Sequence, residues 1–212
     1  MDDSREYAQF LDSQDPLAQF RTAFVITDPN TIYLDGNSLG RLPVGTIQAL
    51  QQVVGIEWGE RLIRSWTDRW LNLPNQLAAR LSSLLGAQPD EVYFSDSTSI
   101  NLFKLAVAAL RARPGRRKII SDDLNFPSDL YILQGIIDLL GQGHELSLVH
   151  SRDGMGISIS DLERAIDEDT ALVCLSHVVF KSAFLFDMER VTRLAHQAGA
   201  LVLWDLSHSA GA

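Results

Sequence analysis

The sequence predicts an α/β fold, a mostly parallel sheet with helices on both faces. Two observations carry this. From residue 91 onward, short apolar runs alternate with segments of helical period, the pattern of strands joined by crossover helices. The runs Ala171–Leu175 and Ala200–Trp204 are continuously apolar, as expected of parallel strands covered on both sides. With 212 residues, 46% of them hydrophobic, the chain can bury one sizeable core.

The first forty residues read as an arm with little core of its own. Residues 5–24 carry scattered helical signals, and Thr31–Leu34 is extended before a turn at Asp35-Gly36-Asn37. Residues 44–85 read as helices: Ile47, Leu50, Val54 and Ile56 recur at helical spacing, and Trp58, Leu62, Ile63 and Trp66 continue them. Pro74 breaks the pattern, which resumes over 77–85. Then come a strand at Val92–Phe94, a helix at Ile100–Leu110 with Leu102, Ala106 and Ala109 on one face, a strand at Lys118–Ser121, a helix at Asp129–Leu140 and a strand at Glu145–Val149. Ser160 with Glu163 forms a capping-box pattern opening a short helix. After the strand at Ala171–Leu175, Met188, Val191, Ala195 and Ala198 mark a helix stopped by Gly199, and Ala200–Trp204 is the last strand. Two regions are expected: 1–90, an arm with helices, and 91–212, the first part of a larger sheet domain. Only seven residues follow Asp205, where a parallel sheet would normally continue, so a fragment or half of a split polypeptide is expected.

A net charge of −9 disfavours nucleic acid as a partner, because phosphate binding needs clustered Lys and Arg. The basic cluster Arg111, Arg113, Arg116, Arg117 and Lys118 reads as a solvated loop. The single cysteine, Cys174, lies in an apolar strand and reads as a small buried hydrophobe. The acidic start has no apolar h-region, and no apolar stretch approaches the roughly 18–20 residues that span a bilayer, so a cytoplasmic protein without membrane contact is expected.

In a parallel sheet, ligands bind beyond the carboxyl ends of the strands. Three segments lie there. Ser95-Asp96-Ser97-Thr98-Ser99-Ile100-Asn101 clusters hydroxyls at a helix start, suited to an anion or to ordinary N-capping. Asn125-Phe126-Pro127-Ser128-Asp129 opens another helix. Pro127 fits a first turn, Ser128 or Asp129 a cap, and Phe126 either a hydrophobic staple or a face for a flat ring. In Trp204-Asp205-Leu206-Ser207-His208, Asp205 ends an apolar strand. A carboxylate there needs a cation or hydrogen bonds, or it caps the following turn. Asp205 and His208 lack a third ligand of convincing spacing, so no metal is expected. A phosphate cup, a stacking aromatic and a buried acid on one sheet are together what pyridoxal 5'-phosphate (PLP) needs.

At these residues the chain resembles the kynureninase family, within the fold-type I (aminotransferase-like) PLP enzymes. Tyr33-Leu34-Asp35-Gly36-Asn37-Ser38-Leu39-Gly40 resembles an N-terminal signature, and Glu57-Trp58-Gly59-Glu60 through Ser65-Trp66 the next block. Phe126-Pro127-Ser128-Asp129 resembles the cofactor loop; Leu175-Ser176-His177-Val178 and Trp204 through Gly211 resemble later blocks. The resemblance implies a PLP-transferase fold, incomplete at its C-terminus. Thr98 and Ser99 would hold the phosphate and Phe126 would stack on the pyridine ring, with Pro127, Ser128 and Asp129 in the same loop. Ser176 would line the pocket, Asp205 would pair with the pyridinium nitrogen, and His208 would lie beside it. Ser38 and Trp58 are candidates for the substrate pocket.

The implied reaction is hydrolysis of L-kynurenine, or 3-hydroxykynurenine, to anthranilate or its hydroxy form and L-alanine. It belongs to tryptophan catabolism and runs in a homodimer. Val178-Val179-Phe180 and Ala183 depart from the Val-Asn-Tyr and glycine expected of the family. The Schiff-base lysine would lie beyond Asp205, and Lys104, Lys118 and Lys181, the only lysines, do not match it. The chain by itself is therefore expected to be inactive. Alternatives are another fold-type I enzyme, cysteine desulfurase-like or an aminotransferase, or a non-catalytic remnant.

Overall fold

The computed structural model describes residues 3–211. The chain divides into two compact units, Met1–Pro74 and Asn75–Ala212. This division precedes the expected region boundary at 90/91, which was drawn where strand–helix alternation begins.

In the first unit, α1 (Arg5–Gln14) is capped by the Ser4 hydroxyl, which accepts from the Tyr7 amide. A 3₁₀ turn (Ala18–Ala23) follows, then α2 (Val44–Gln52), which widens into a π-helix over Val53–Arg61. Leu62, at φ +54°, stops it, and α3 (Arg64–Asp68) follows. No apolar side chain is buried among the described residues of this unit; its buried residues are Glu57 and Ser65. Glu57 pairs with Arg69 and accepts from the Trp70 indole at 2.6 Å, while the Ser65 hydroxyl donates to the Glu57 carbonyl at 2.6 Å. The helical spacing read over 47–66 does form helices. Its apolar side chains remain exposed, Trp58 at 65%.

The next helix, α4 (Leu73–Leu85), starts on the last two residues of the first unit, continues in the second, and carries Pro74 in its first turn. A missing N–H costs nothing there, so the proline starts a helix rather than breaking one. Val92–Phe94, expected as a strand, is extended but joins no sheet. It leaves a 3₁₀ turn closed by a Gln88–Glu91 capping box, and Tyr93 is exposed. Then α5 (Thr98–Arg111), β1 (Lys118–Asp122), α6 (Pro127–Leu140), β2 (Glu145–Val149), α7 (Ile159–Ala165), β3 (Thr170–Ser176), α8 (Met188–Gln197) and β4 (Leu201–Asp205) alternate as predicted. Ser160 does not cap α7. The N-cap is Ser158, and Ser160 sits in the first turn, its hydroxyl 2.7 Å from that of Ser158.

The four strands form one parallel sheet in the order β2-β1-β3-β4. Leu102, Ala106 and Leu110 of α5 and Leu133 and Ile136 of α6 pack on one face against Ile119, Leu172 and Cys174. Leu162 of α7 and Val191 and Ala195 of α8 pack on the other against Ile120, Val173 and Leu175. Every residue of β3 is buried, which accounts for its uninterrupted apolar sequence.

The basic cluster is not a solvated loop. The Arg113 guanidinium donates to the Gly199 carbonyl at 2.8 Å, and Arg116 donates to the Thr170 and Ala198 carbonyls at 2.9 and 2.7 Å. Lys118 pairs with Asp167 and Arg117 with Asp169. These cations satisfy carbonyls at the amino-terminal edge of the sheet that strand pairing leaves open. A Cβ on Gly199, which has φ +78°, would lie 2.5 Å from Arg116 Nη2. Gly199→Ala should therefore destabilise the chain, in urea denaturation, by more than the about 1–2 kcal/mol that a left-handed alanine costs. The excess should vanish when Arg116 is also alanine.

Candidate active site at the carboxyl edge of the sheet

Strands β1, β3 and β4 end in Asp122, Ser176 and Asp205, all at one edge of the sheet, and Ser176 and Asp205 are direct register partners. Asp205 Oδ1 accepts from the Ser207 amide and hydroxyl at 2.8 and 2.6 Å, so it caps the turn after β4. Asp205 also lines a cavity of about 330 Å³ with Leu203, Leu206 and Ser207, and α5 contributes Thr98, Asn101 and Leu105 to the same wall. The phosphate candidate and the acid candidate thus share one cavity.

Thr98 opens α5 behind the N-cap Ser97, whose hydroxyl accepts from the Ile100 amide. The preceding loop is pinned to the helix. Asn101 donates to the Ser95 carbonyl at 2.8 Å, and Lys104 pairs with Asp96, which sits at φ +27°. Ser99 is exposed and does not line the cavity.

At the β1 end, Phe126 is the N-cap of α6 and Pro127 its first residue, so neither Ser128 nor Asp129 caps the helix. The Phe126 ring lies 5.1 Å from Phe180, edge-on, and 6.3 Å from the His208 ring. Ser128 donates to Asp129 Oδ1 at 3.4 Å. Asp129 is 1% exposed, and its Oδ2 has no hydrogen-bond partner among the described residues. Burial pushes its carboxyl up to about 6, and the negative charge of Asp205 adds to the shift. The two acids can hydrogen-bond to each other only when one carries a proton. Cys174 responds to the same cluster. Its thiol is driven far up by burial first and then by Asp129, Asp205 and Asp122, which leaves it inert. Among the described residues no Lys or Arg forms an ion pair with any of these three acids. Asp122 and Asp129 are buried, and the half-buried Asp205 shares its cavity with the first turn of α5.

Residues 32–212 match the family described as Aminotransferase class-V. The chain belongs to the aminotransferase class-V family. It is 48% identical over 207 residues to a kynureninase of Pseudomonas fluorescens, covering 95% of this chain and 48% of that protein. A kynureninase of Burkholderia mallei is 48% identical over 214 residues, covering 99% of this chain and 50% of that one. The chain spans about half the length of these curated relatives. In structure, the class-V fold is shared with the cysteine desulfurase CsdA of Escherichia coli. The TM-score is 0.74 at 19% identity, over 92% of this chain and 50% of that one.

Of the residues singled out in the sequence, this class-V structure brings together Thr98 with Asp205, Asp129 with Asp205, and Phe126 with His208. Ser176 meets the same loop through Asn125. Ser38, in an exposed turn, and Trp58, in a shallow cleft with Leu62, Ile63, Trp66 and Trp70, belong to the first unit. Sequence reasoning passed over Asn125, Asp122 and His177. His177 Nδ1 lies 2.9 Å from the Ser209 hydroxyl and links the β3 end to the turn after β4. Asp122 was missed because the β1 strand was ended one residue early, at Ser121.

Asp122 is fully buried. Its Oδ1 accepts from the Leu124 amide at 2.8 Å, its Oδ2 has no partner among the described residues, and burial, then Asp123, pushes it up to about 6. A raised carboxyl binds its proton more tightly folded than unfolded. Its contribution is therefore full at acid pH and is lost as pH rises from about 4 to about 6. Asp122→Asn keeps the contact to Leu124 and removes the titration. Urea midpoints at pH 4.5 and 7 should differ less favourably for acid in the variant than in the wild type.

Proposed function

We propose that this chain carries the PLP site of a kynureninase. Such an enzyme hydrolyses L-kynurenine or 3-hydroxykynurenine to anthranilate, or 3-hydroxyanthranilate, and L-alanine. The observation that carries the proposal is the single cavity lined by both Thr98 and Asp205, in a chain that shares nearly half its residues with kynureninases.

The residues present fit the cofactor. An anionic patch with an orphaned carboxylate oxygen on Asp129 suits a protonated ring nitrogen. The Thr98 hydroxyl and the first-turn amides of α5 suit a phosphate. When bound, PLP supplies an electron-poor ring that takes up the electron pair left on a substrate carbon. The chain's own groups bind and tune. Thr98, with Ser99 beside it, anchors the phosphate. Phe126 would offer a face to the ring from the loop and helix start that Pro127 and Ser128 form, and Ser176 would line the pocket. Asp205 keeps the ring nitrogen protonated and His208 flanks it. Asp129, its carboxyl raised to about 6 by burial and then by Asp205, adds a second carboxylate beside Asp205. Ser38 and Trp58 are assigned to substrate. A homodimer and a cytoplasmic place in tryptophan catabolism belong to the same proposal.

The test fuses this chain to the second half of the Pseudomonas fluorescens relative. With PLP and L-kynurenine, the fusion should release anthranilate, read by its fluorescence. Asp205→Ala should lower kcat/KM by on the order of 10²–10³-fold or more, the scale of losing one preorganised electrostatic partner. A fusion that binds PLP yet releases sulfide from cysteine and no anthranilate from kynurenine would turn the assignment to a desulfurase.

A further inference from the structure

Between β1 and β3 lies a buried amide to which the proposed chemistry assigns nothing. Asn125 is 3% exposed. Its Nδ2 donates to the Ser121 hydroxyl at 3.0 Å and lies 3.4 Å from the Cys174 carbonyl. Its Oδ1 accepts from the Ser176 hydroxyl at 2.7 Å and from the Phe126 amide at 2.8 Å. Two donor hydrogens and two lone pairs are all that a carboxamide has, and all are used. Ser121 and Ser176 are themselves buried, so the bonds to Ser121, Cys174 and Ser176 form away from competing water, while the bond from the Phe126 amide is partly buried.

These four bonds join the ends of two adjacent strands to the backbone of one loop residue, Phe126. That residue has no side-chain cap of its own and sits at φ −62°, ψ 130°, the turn from loop into α6. Its ring is held by Phe180 and His208, and its backbone by Asn125. We infer that Asn125 is the positioning residue that fixes the Phe126 ring over the cofactor slot, locking it to the frame of β1 and β3. The inference deepens the proposed function and rests on it for the identity of the ring that Phe126 meets. A carboxylate at 125 could accept from Phe126 and Ser176 but could not donate to the Cys174 carbonyl. A leucine would fill the space and make none of the four bonds.

The experiment has two arms, the first on the chain as it stands. In the first, without cofactor, amide hydrogen exchange is followed by NMR. In Asn125→Leu the Phe126 amide should exchange about tenfold faster, the size of one lost hydrogen bond, while the Ile120 and Val173 amides stay within about twofold. Asn125→Asp, which keeps the acceptor, should retain Phe126 protection. Unchanged Phe126 protection in Asn125→Leu overturns the inference. If Asn125→Leu loosens the core amides as well, Asn125→Asp decides: protection kept upholds the inference, protection lost overturns it.

In the second arm, the protein is the fusion to the second half of the Pseudomonas fluorescens relative and PLP is the probe, read by its dissociation constant and by the circular dichroism induced in its absorption band. Asn125→Leu should weaken binding about tenfold and diminish the band. The double variant with Phe126→Ala should bind no more weakly than Phe126→Ala alone, since Asn125 acts through that ring. Additive losses overturn the inference. Failure of the otherwise unsubstituted fusion to take up PLP withdraws the proposed function instead, and the exchange arm still decides whether Asn125 holds Phe126.

Discussion

The parallel register of β3 on β4 sets Ser176 beside Asp205, and everything at the candidate site is arranged around that pairing. A parallel sheet sends all its carboxyl ends to one edge, where strand pairing stops and polar groups need other partners. Here that edge gathers Asp122, Asp129 and Asp205 around a buried amide and a buried thiol. Carboxylates so placed are costly unless protonated or paired. The upward shifts of Asp122 and Asp129 are the physical trace of that cost. Under the proposed function, a protonated pyridine ring would relieve it.

The opposite edge of the sheet is organised by the opposite charge. Arg113 and Arg116 reach carbonyls at the amino ends of β3 and β4, and Lys118 and Arg117 meet Asp167 and Asp169. Cations close one edge with hydrogen bonds inside the chain, while anions are left waiting at the other. The Phe126 loop bridges the two adjacent strand ends at the anionic edge, and its backbone geometry depends on an amide that belongs to neither strand.

Much of the fold was legible in the residues. Uninterrupted apolar runs at 171–175 and 200–204 and helical spacing at 102–109 and 188–198 follow directly from burial and period, and the strands and helices formed where those patterns lay. Local chemistry was harder to read. Ser160 satisfied a capping pattern, yet the cap lies two residues earlier, at Ser158, and the helix begins at Ile159. Val92–Phe94 had strand composition, but a strand exists only where a neighbour supplies hydrogen bonds, and none reaches it among the described residues. The basic run looked solvated because its acceptors lie far along the chain, at Asp167 to Gly199.

The sequence by itself determined the layered α/β class, while Thr98, Phe126, Asp129 and Asp205 were singled out by the resemblance to a known family. The class follows from hydrophobic period and from continuously apolar runs, which are properties of neighbours along the chain. Tertiary structure alone decided that Thr98 and Asp205 share a cavity, that Asp129 sits in the field of Asp205, and that Asn125 ties Ser121, Ser176 and Phe126 into one knot. The contacts of Thr98 and Asp129 with Asp205, and of Asn125 with Ser176, join residues dozens of positions apart. The order β2-β1-β3-β4 is a choice that no local pattern encodes.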